Sequence, residues 1–136
     1  MKKLFLILNF LLLLLAACSS QNPVAADEIS YTNISVETLK SMLEERPTSF
    51  LLINTHLPFQ GNIPNTDITI PSTEILNSLD QLPEDKNTEI VLYCRSDRMS
   101  HAASANLAKA GYTNVKNVIG GLIAWESAGY PLEMIP

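Results

Sequence analysis

Hydrophobic positions in this chain are of two kinds: short unbroken apolar runs, and stretches where apolar residues recur every three or four places. Unbroken runs fit strands covered on both faces, and the recurring kind fits helices with one buried stripe. A short strand is predicted at 31–34. Ser35 then suits an N-cap for a helix over 36–45, where Val36, Leu39, Met42 and Leu43 share a face and Pro47 stops the helix. The run 49–54 predicts a strand, 55–67 a loop rich in Pro, Gly and Asn, and 68–70 a short strand. Ser72 is placed to cap a helix carrying Ile75, Leu76 and Leu79 on one face. After a polar loop, 89–93 predicts a strand. A small-residue helix then begins at Met99 or Ser100 and ends with Gly111 as its C′ residue. A strand at 114–119, a tight turn at Gly120-Gly121 and a helix over 122–128 closed by Gly129 complete the pattern. Strands alternating with helices of this size imply an α/β domain with a mostly parallel sheet flanked by helices.

The first residues follow a different logic. Lys2 and Lys3 precede an apolar stretch from Leu4 to Leu15, then small residues, as in an export signal. That stretch is short for a membrane-spanning helix. Leu15-Ala16-Ala17-Cys18 resembles a bacterial lipoprotein lipobox, which implies cleavage before Cys18 and lipid on its sulfur. Several acyl chains anchor stably where one does not. The expected organisation is a signal peptide at 1–17, lipidated Cys18 with a flexible polar tether at 18–30, and one domain at 31–136. The expected location is extracytoplasmic, anchored to a bacterial membrane through Cys18. Ser19, in place of an aspartate, favours an outer membrane where the cell has two, and otherwise the outer face of the cell membrane.

The formal net charge of −5 comes without any Lys/Arg run, which argues against a nucleic-acid partner. No Cys/His cluster stands at metal-ligand spacing, so neither metal nor cofactor is expected. Of the two cysteines, lipidation of Cys18 would leave Cys94 as the lone thiol of an exported domain, either buried and inert or kept for chemistry.

The surroundings of Cys94 favour chemistry. It ends a strand and precedes a helix, and in parallel sheets ligands bind beyond the carboxyl ends of strands. A helix N-terminus there draws a thiol toward thiolate. Arg95 and Arg98 add positive charge, Ser96 and Ser100 supply hydroxyl donors, and successive N–H groups of the loop can form an anion nest. Asp97 and Met99 complete the candidate substrate loop, with Cys94 as nucleophile.

From about 31 to 132 the chain resembles single-domain rhodanese-like proteins. The marks are Cys94-Arg95-Ser96, Ala110-Gly111-Tyr112, Val115-x-x-Val118, Gly120-Gly121-x-x-Ala124-Trp125 and Ala128-Gly129-Tyr130-Pro131 in this order. The resemblance implies a three-layer rhodanese-like domain and a sulfurtransferase activity. In that chemistry Cys94 takes sulfane sulfur from a donor such as thiosulfate, and the Cys94 persulfide yields it to a thiophilic acceptor. The partners it implies are small sulfur-containing anions or thiols, and possible protein acceptors.

The loop departs from the common family form C-x-x-G-x-R-S. Asp97 stands where glycine is usual and Met99 where arginine is usual, with Arg98 one place early. Aspartate tolerates a left-handed backbone, but its charge is expected to oppose a thiolate. A persulfide carrier or sulfur-relay module with weak thiosulfate turnover is therefore the alternative. An oxyanion phosphatase needs Cys-x5-Arg, and here Ser100 holds that place. An inactive interaction domain would have an unreactive Cys94. Asn54-Thr55-His56 stands where Asp-x-Arg is frequent, and Asn62-Ile63-Pro64-Asn65 where His-Ile-Pro-Gly is usual. His56 is expected on the loop surface and His101 on a solvated helix position, neither with a catalytic role.

Overall fold

A computed structural model describes residues 30–45 and 50–135. The leader, Cys18, all but the last residue of the tether, and Pro47 lie outside the described residues. The elements in order are β1 (Thr32–Ile34), α1 (Val36–Glu44), β2 (Phe50–Asn54), β3 (Ile68–Thr69) and a 3₁₀ helix (Ile75–Gln81). They continue with β4 (Glu89–Tyr93), α2 (Arg98–Lys109), β5 (Val115–Val118) and α3 (Gly121–Ser127). The five strands form one sheet in the order β1-β5-β4-β2-β3, with every pairing parallel. Strand β4 is therefore central, and Cys94 leaves its carboxyl end.

Strand alternation builds two cores. Leu52, Val91 and Tyr93 face α1 and α3, where Leu39, Leu122 and Trp125 pack. Ile53, Ile90 and Leu92 face the other layer, with Ile75, Ala103 and Leu107. Both faces of β2 and β4 are covered, which is why their sequences read as unbroken apolar runs. Each fully buried aliphatic side chain contributes about 1.5–3 kcal/mol. The three layers are thus α1 with α3, the sheet, and α2 with the 3₁₀ helix.

Ser35 caps α1 as its sequence position suggests, its Oγ accepting from the Thr38 N–H at 3.2 Å. Ser72 does not cap. The segment after it is a 3₁₀ helix preceded by Glu74 with no side-chain cap bond, and it is kinked at Ser78. Three residues per turn put Ile75 and Ser78 on the buried side, while Leu76 stays 48% exposed. The expected α-helix is corrected to this 3₁₀ helix, and of its expected face Ile75 and Leu79 pack in the core while Leu76 does not.

Trp125 ties the last helix to the chain end. Its Nε1–H donates to the Pro131 carbonyl at 2.8 Å, and Tyr130 packs on its ring at 4.8 Å. Beyond it, Glu133 pairs with Asn62 through two backbone hydrogen bonds of 2.7 and 2.8 Å. Replacing Trp125 with Ala removes the largest fully buried side chain. Chemical denaturation should then show a loss of about 3–5 kcal/mol.

Candidate active site

The loop is fixed first from behind. The Leu122 N–H donates to the Cys94 carbonyl at 2.9 Å, and the Ile123 N–H to the Arg95 carbonyl at 3.0 Å. These are first-turn donors of α3, which have no partner within their own helix. Gly121 makes the approach possible. Its φ is +52°, and a Cβ there would stand 2.0 Å from the Cys94 carbonyl oxygen. The Gly120-Gly121 pair is therefore the seat on which the cysteine loop rests, as well as a turn.

With the Cys94 and Arg95 carbonyls held by α3, donors of the loop are left for the sulfur. The Asp97 N–H reaches Sγ at 3.1 Å and the Ser100 Oγ–H at 3.5 Å. Cys94 is 1% exposed, and burial by itself pushes its thiol pKa up. The Ser100 hydroxyl and the N–H groups of Ser100, Asp97 and Ser96 outweigh burial, so the net pKa is lowered. This is the anion nest anticipated from the sequence, formed by Ser96, Asp97 and Ser100.

Asp97 has φ +140°, a backbone state that strongly favours glycine. Its carboxylate accepts from the Asn117 Nδ2–H at 2.8 Å, and Asn117 also donates to Asn33 at 2.9 Å. The Asp97 carboxylate is thus engaged with buried Asn117 of β5, and the residue acts on the sulfur through its N–H. The same turn starts α2 at Arg98, one residue earlier than predicted, with the His101 N–H on the Asp97 carbonyl at 2.9 Å.

Arg95 and Arg98 are exposed, and among the described residues neither forms an ion pair. Both are available to an anionic donor. Met99 is half-buried. His101 is exposed as expected, with the Tyr31 hydroxyl 2.7 Å from its Nδ1.

His56 departs from expectation. It is buried, 7% exposed, and among the described residues neither ring nitrogen has a hydrogen-bond partner. Burial lowers its pKa, and the Arg95 charge lowers it further. Gln60, which stands near without completing a hydrogen bond, offsets part of this. The reason for its burial lies in Asn54. That side chain donates to the Gly61 carbonyl at 3.2 Å and to Asn62 Oδ1 at 2.9 Å, and accepts from the His56 N–H at 2.9 Å. The chain is thereby folded back over the sheet end. Tyr93 joins this network, its hydroxyl bonded to the Ile63 N–H, Thr66 and Asn62. Burial, chiefly, pushes its pKa up to about 12.

Among the described residues there is no group of His, Cys, Asp and Glu able to hold a metal ion, and no helix is long and apolar enough to cross a membrane. The site residues missed from the sequence are Asn117, Gly121 as a seat, and the buried Asn54–His56 corner. The Gly120-Gly121 pair gave a signal beforehand as a turn, and Asn54-Thr55-His56 as a departure from the family form.

A parallel sheet whose central strand ends in a cysteine cradled by N–H groups defines the cysteine-loop class of α/β domains. Within it, this chain belongs to the rhodanese-like family, whose Rhodanese-like domain matches residues 35–128. A sulfurtransferase of Allochromatium vinosum is 34% identical over 102 residues, 73% of this chain and 92% of that protein. The tRNA uridine(34) hydroxylase of Yersinia pestis is 29% identical over 111 residues, 75% of this chain but 31% of its own length. A rhodanese-related protein from Thermoplasma volcanium superimposes with TM-score 0.65 at 26% identity, covering 77% of this chain and all of that one. The family is one of sulfur transfer, and the three-layer fold expected from the sequence is the one observed.

Because the donors favour the thiolate, alkylation of Cys94 by iodoacetamide should rise with pH through a midpoint below that of an ordinary thiol. Ser100→Ala removes one donor and should move that midpoint upward in the same rate-against-pH measurement.

Proposed function

We propose that this protein is a sulfurtransferase that works through a Cys94 persulfide. The observation that carries this reading is the cradle itself: a buried sulfur with depressed pKa, faced by N–H and O–H donors and flanked by two unpaired guanidiniums. The Cys94 thiolate attacks the outer sulfur of a donor such as thiosulfate. The sulfur–sulfur bond of the donor breaks, sulfite leaves, and Cys94 carries the persulfide. A thiophilic acceptor then takes the outer sulfur and Cys94 leaves again as thiolate, in two displacements. Arg95 and Arg98 draw the anionic donor toward the loop, and the cradle stabilises the departing thiolate.

A second reading, a persulfide carrier that discharges to a partner and uses thiosulfate poorly, is favoured by Met99. Its thioether offers no charge to an anionic donor at the place where the family usually has arginine.

Mass spectrometry after thiosulfate treatment tests the first reading. One added sulfur on Cys94, removed by cyanide and absent in Cys94→Ser, is the expected result, and no addition sinks it. Addition with negligible steady-state turnover would select the carrier.

We further propose that the domain is held outside the cytoplasm by lipid on Cys18, on the strength of the lipobox-like Leu15-Ala16-Ala17-Cys18. Cells expressing the full chain should incorporate labelled fatty acid into it and retain it in membranes, and Cys18→Ala should abolish both. Unlabelled protein in the unaltered chain would overturn the anchor.

A further inference from the structure

A buried imidazole with two unsatisfied nitrogens is costly, since an unpaired buried polar group loses its hydration without replacement. His56 is such a group, and its place in the fold explains what would satisfy it. It follows β2 as Cys94 follows β4, and the two strands are neighbours in the sheet. Their ends are locked together: the Tyr93 carbonyl accepts from the Thr55 N–H at 2.8 Å and from the Thr55 Oγ1–H at 2.9 Å. The register pairs Asn54 with Tyr93, so Thr55 stands level with Cys94, and His56 level with Arg95, the next residue of the cysteine loop. The charge acting on the ring is that of Arg95, from the cysteine loop; from its own loop it meets the neutral Gln60.

We infer that His56 is the proton acceptor for an incoming thiol, and that it makes this site select proton-bearing thiol acceptors for the sulfur held on Cys94. This inference rests on the sulfur-transfer reading. In the step, the S–H bond of the acceptor breaks and its proton passes to a His56 ring nitrogen. The acceptor sulfur attacks the outer sulfur of the Cys94 persulfide. The sulfur–sulfur bond breaks with its electron pair on Cys94 Sγ, leaving the thiolate in its cradle, and the acceptor departs as a persulfide. His56 then releases its proton to solvent. No external oxidant or reductant is needed, because the sulfane sulfur moves without a net change of oxidation level. Burial and Arg95 keep the ring neutral near pH 7, the form a base requires.

The test loads the full chain with inorganic polysulfide, confirms one added sulfur on Cys94 by mass spectrometry, and follows its discharge. One acceptor is 2-mercaptoethanol, which carries the proton; the other is sulfite, which is largely proton-free near pH 8. In the unaltered protein, discharge to the thiol should be flat with pH between the His56 ionisation and that of the thiol, and fall below it. A steady tenfold rise per pH unit across that range would overturn the inference, since it signals attack by pre-ionised thiol alone. His56→Gln should slow thiol discharge at pH 7 about tenfold or more, remove the flat region, and leave sulfite discharge within twofold. Equal slowing of both acceptors, or of neither, would overturn the role of His56 while leaving the persulfide intact. Absence of any persulfide in the unaltered protein would overturn the sulfur-transfer reading itself, and the role of His56 with it. Should His56→Gln fail to fold, the pH profile of the unaltered protein decides alone.

Discussion

The structure depends on two hydrogen bonds behind the cysteine, from the Leu122 and Ile123 N–H groups to the Cys94 and Arg95 carbonyls. A loop that must gather N–H groups around an anion has to dispose of its carbonyls, which would repel it. Here the first turn of α3 accepts that task, since its donors have no use within their own helix. The arrangement demands contact between backbones, hence glycine at 121. It also demands that α3 be held firmly, hence Trp125 packed in the core and bonded to the chain beyond the helix. The sequence motif surrounding the tryptophan, some thirty residues from Cys94, is in this sense part of what shapes the cysteine loop.

The order of strands and helices was legible because the sheet is parallel and covered on both faces. The unbroken runs at β2 and β4 follow directly from that burial. The place of Cys94 and the donors around its sulfur were legible too, since both depend on local chain: a strand end, a small-residue loop and a helix start. What was not legible depends on distant partners. Nothing around Asp97 in the sequence announces Asn117, twenty residues away, as the group that holds its carboxylate. His56 looks like a loop histidine until Asn54 is found gathering the chain over it. The 3₁₀ helix was misread because apolar residues at three- and four-residue spacing fit an α-helical face equally well, and only the exposure of Leu76 separates the two.

Among the described residues, the two non-glycine residues with positive φ, Asn65 and Asp97, stand at two places where the family usually has glycine. The backbone path is therefore retained with side chains that tolerate it. In exchange for strain of about 1–3 kcal/mol, Asp97 gains an anchor on β5 that glycine cannot offer. The loop of this protein is tethered at its middle as well as at its base, and the exposed arginines stand on either side of the tether.

The Ser100 hydroxyl lies 3.5 Å from the sulfur and 3.0 Å from the Asp97 carbonyl, and it has one proton to give. It cannot serve both at once. While the sulfur is neutral, the carbonyl is the better acceptor; when the sulfur becomes an anion, the proton swings to it. The charge on the sulfur therefore decides where this one hydroxyl proton is best placed, toward Sγ or toward the carbonyl at the head of α2. The charge on one atom thus bears on the hydrogen bonding at the opening of a twelve-residue helix.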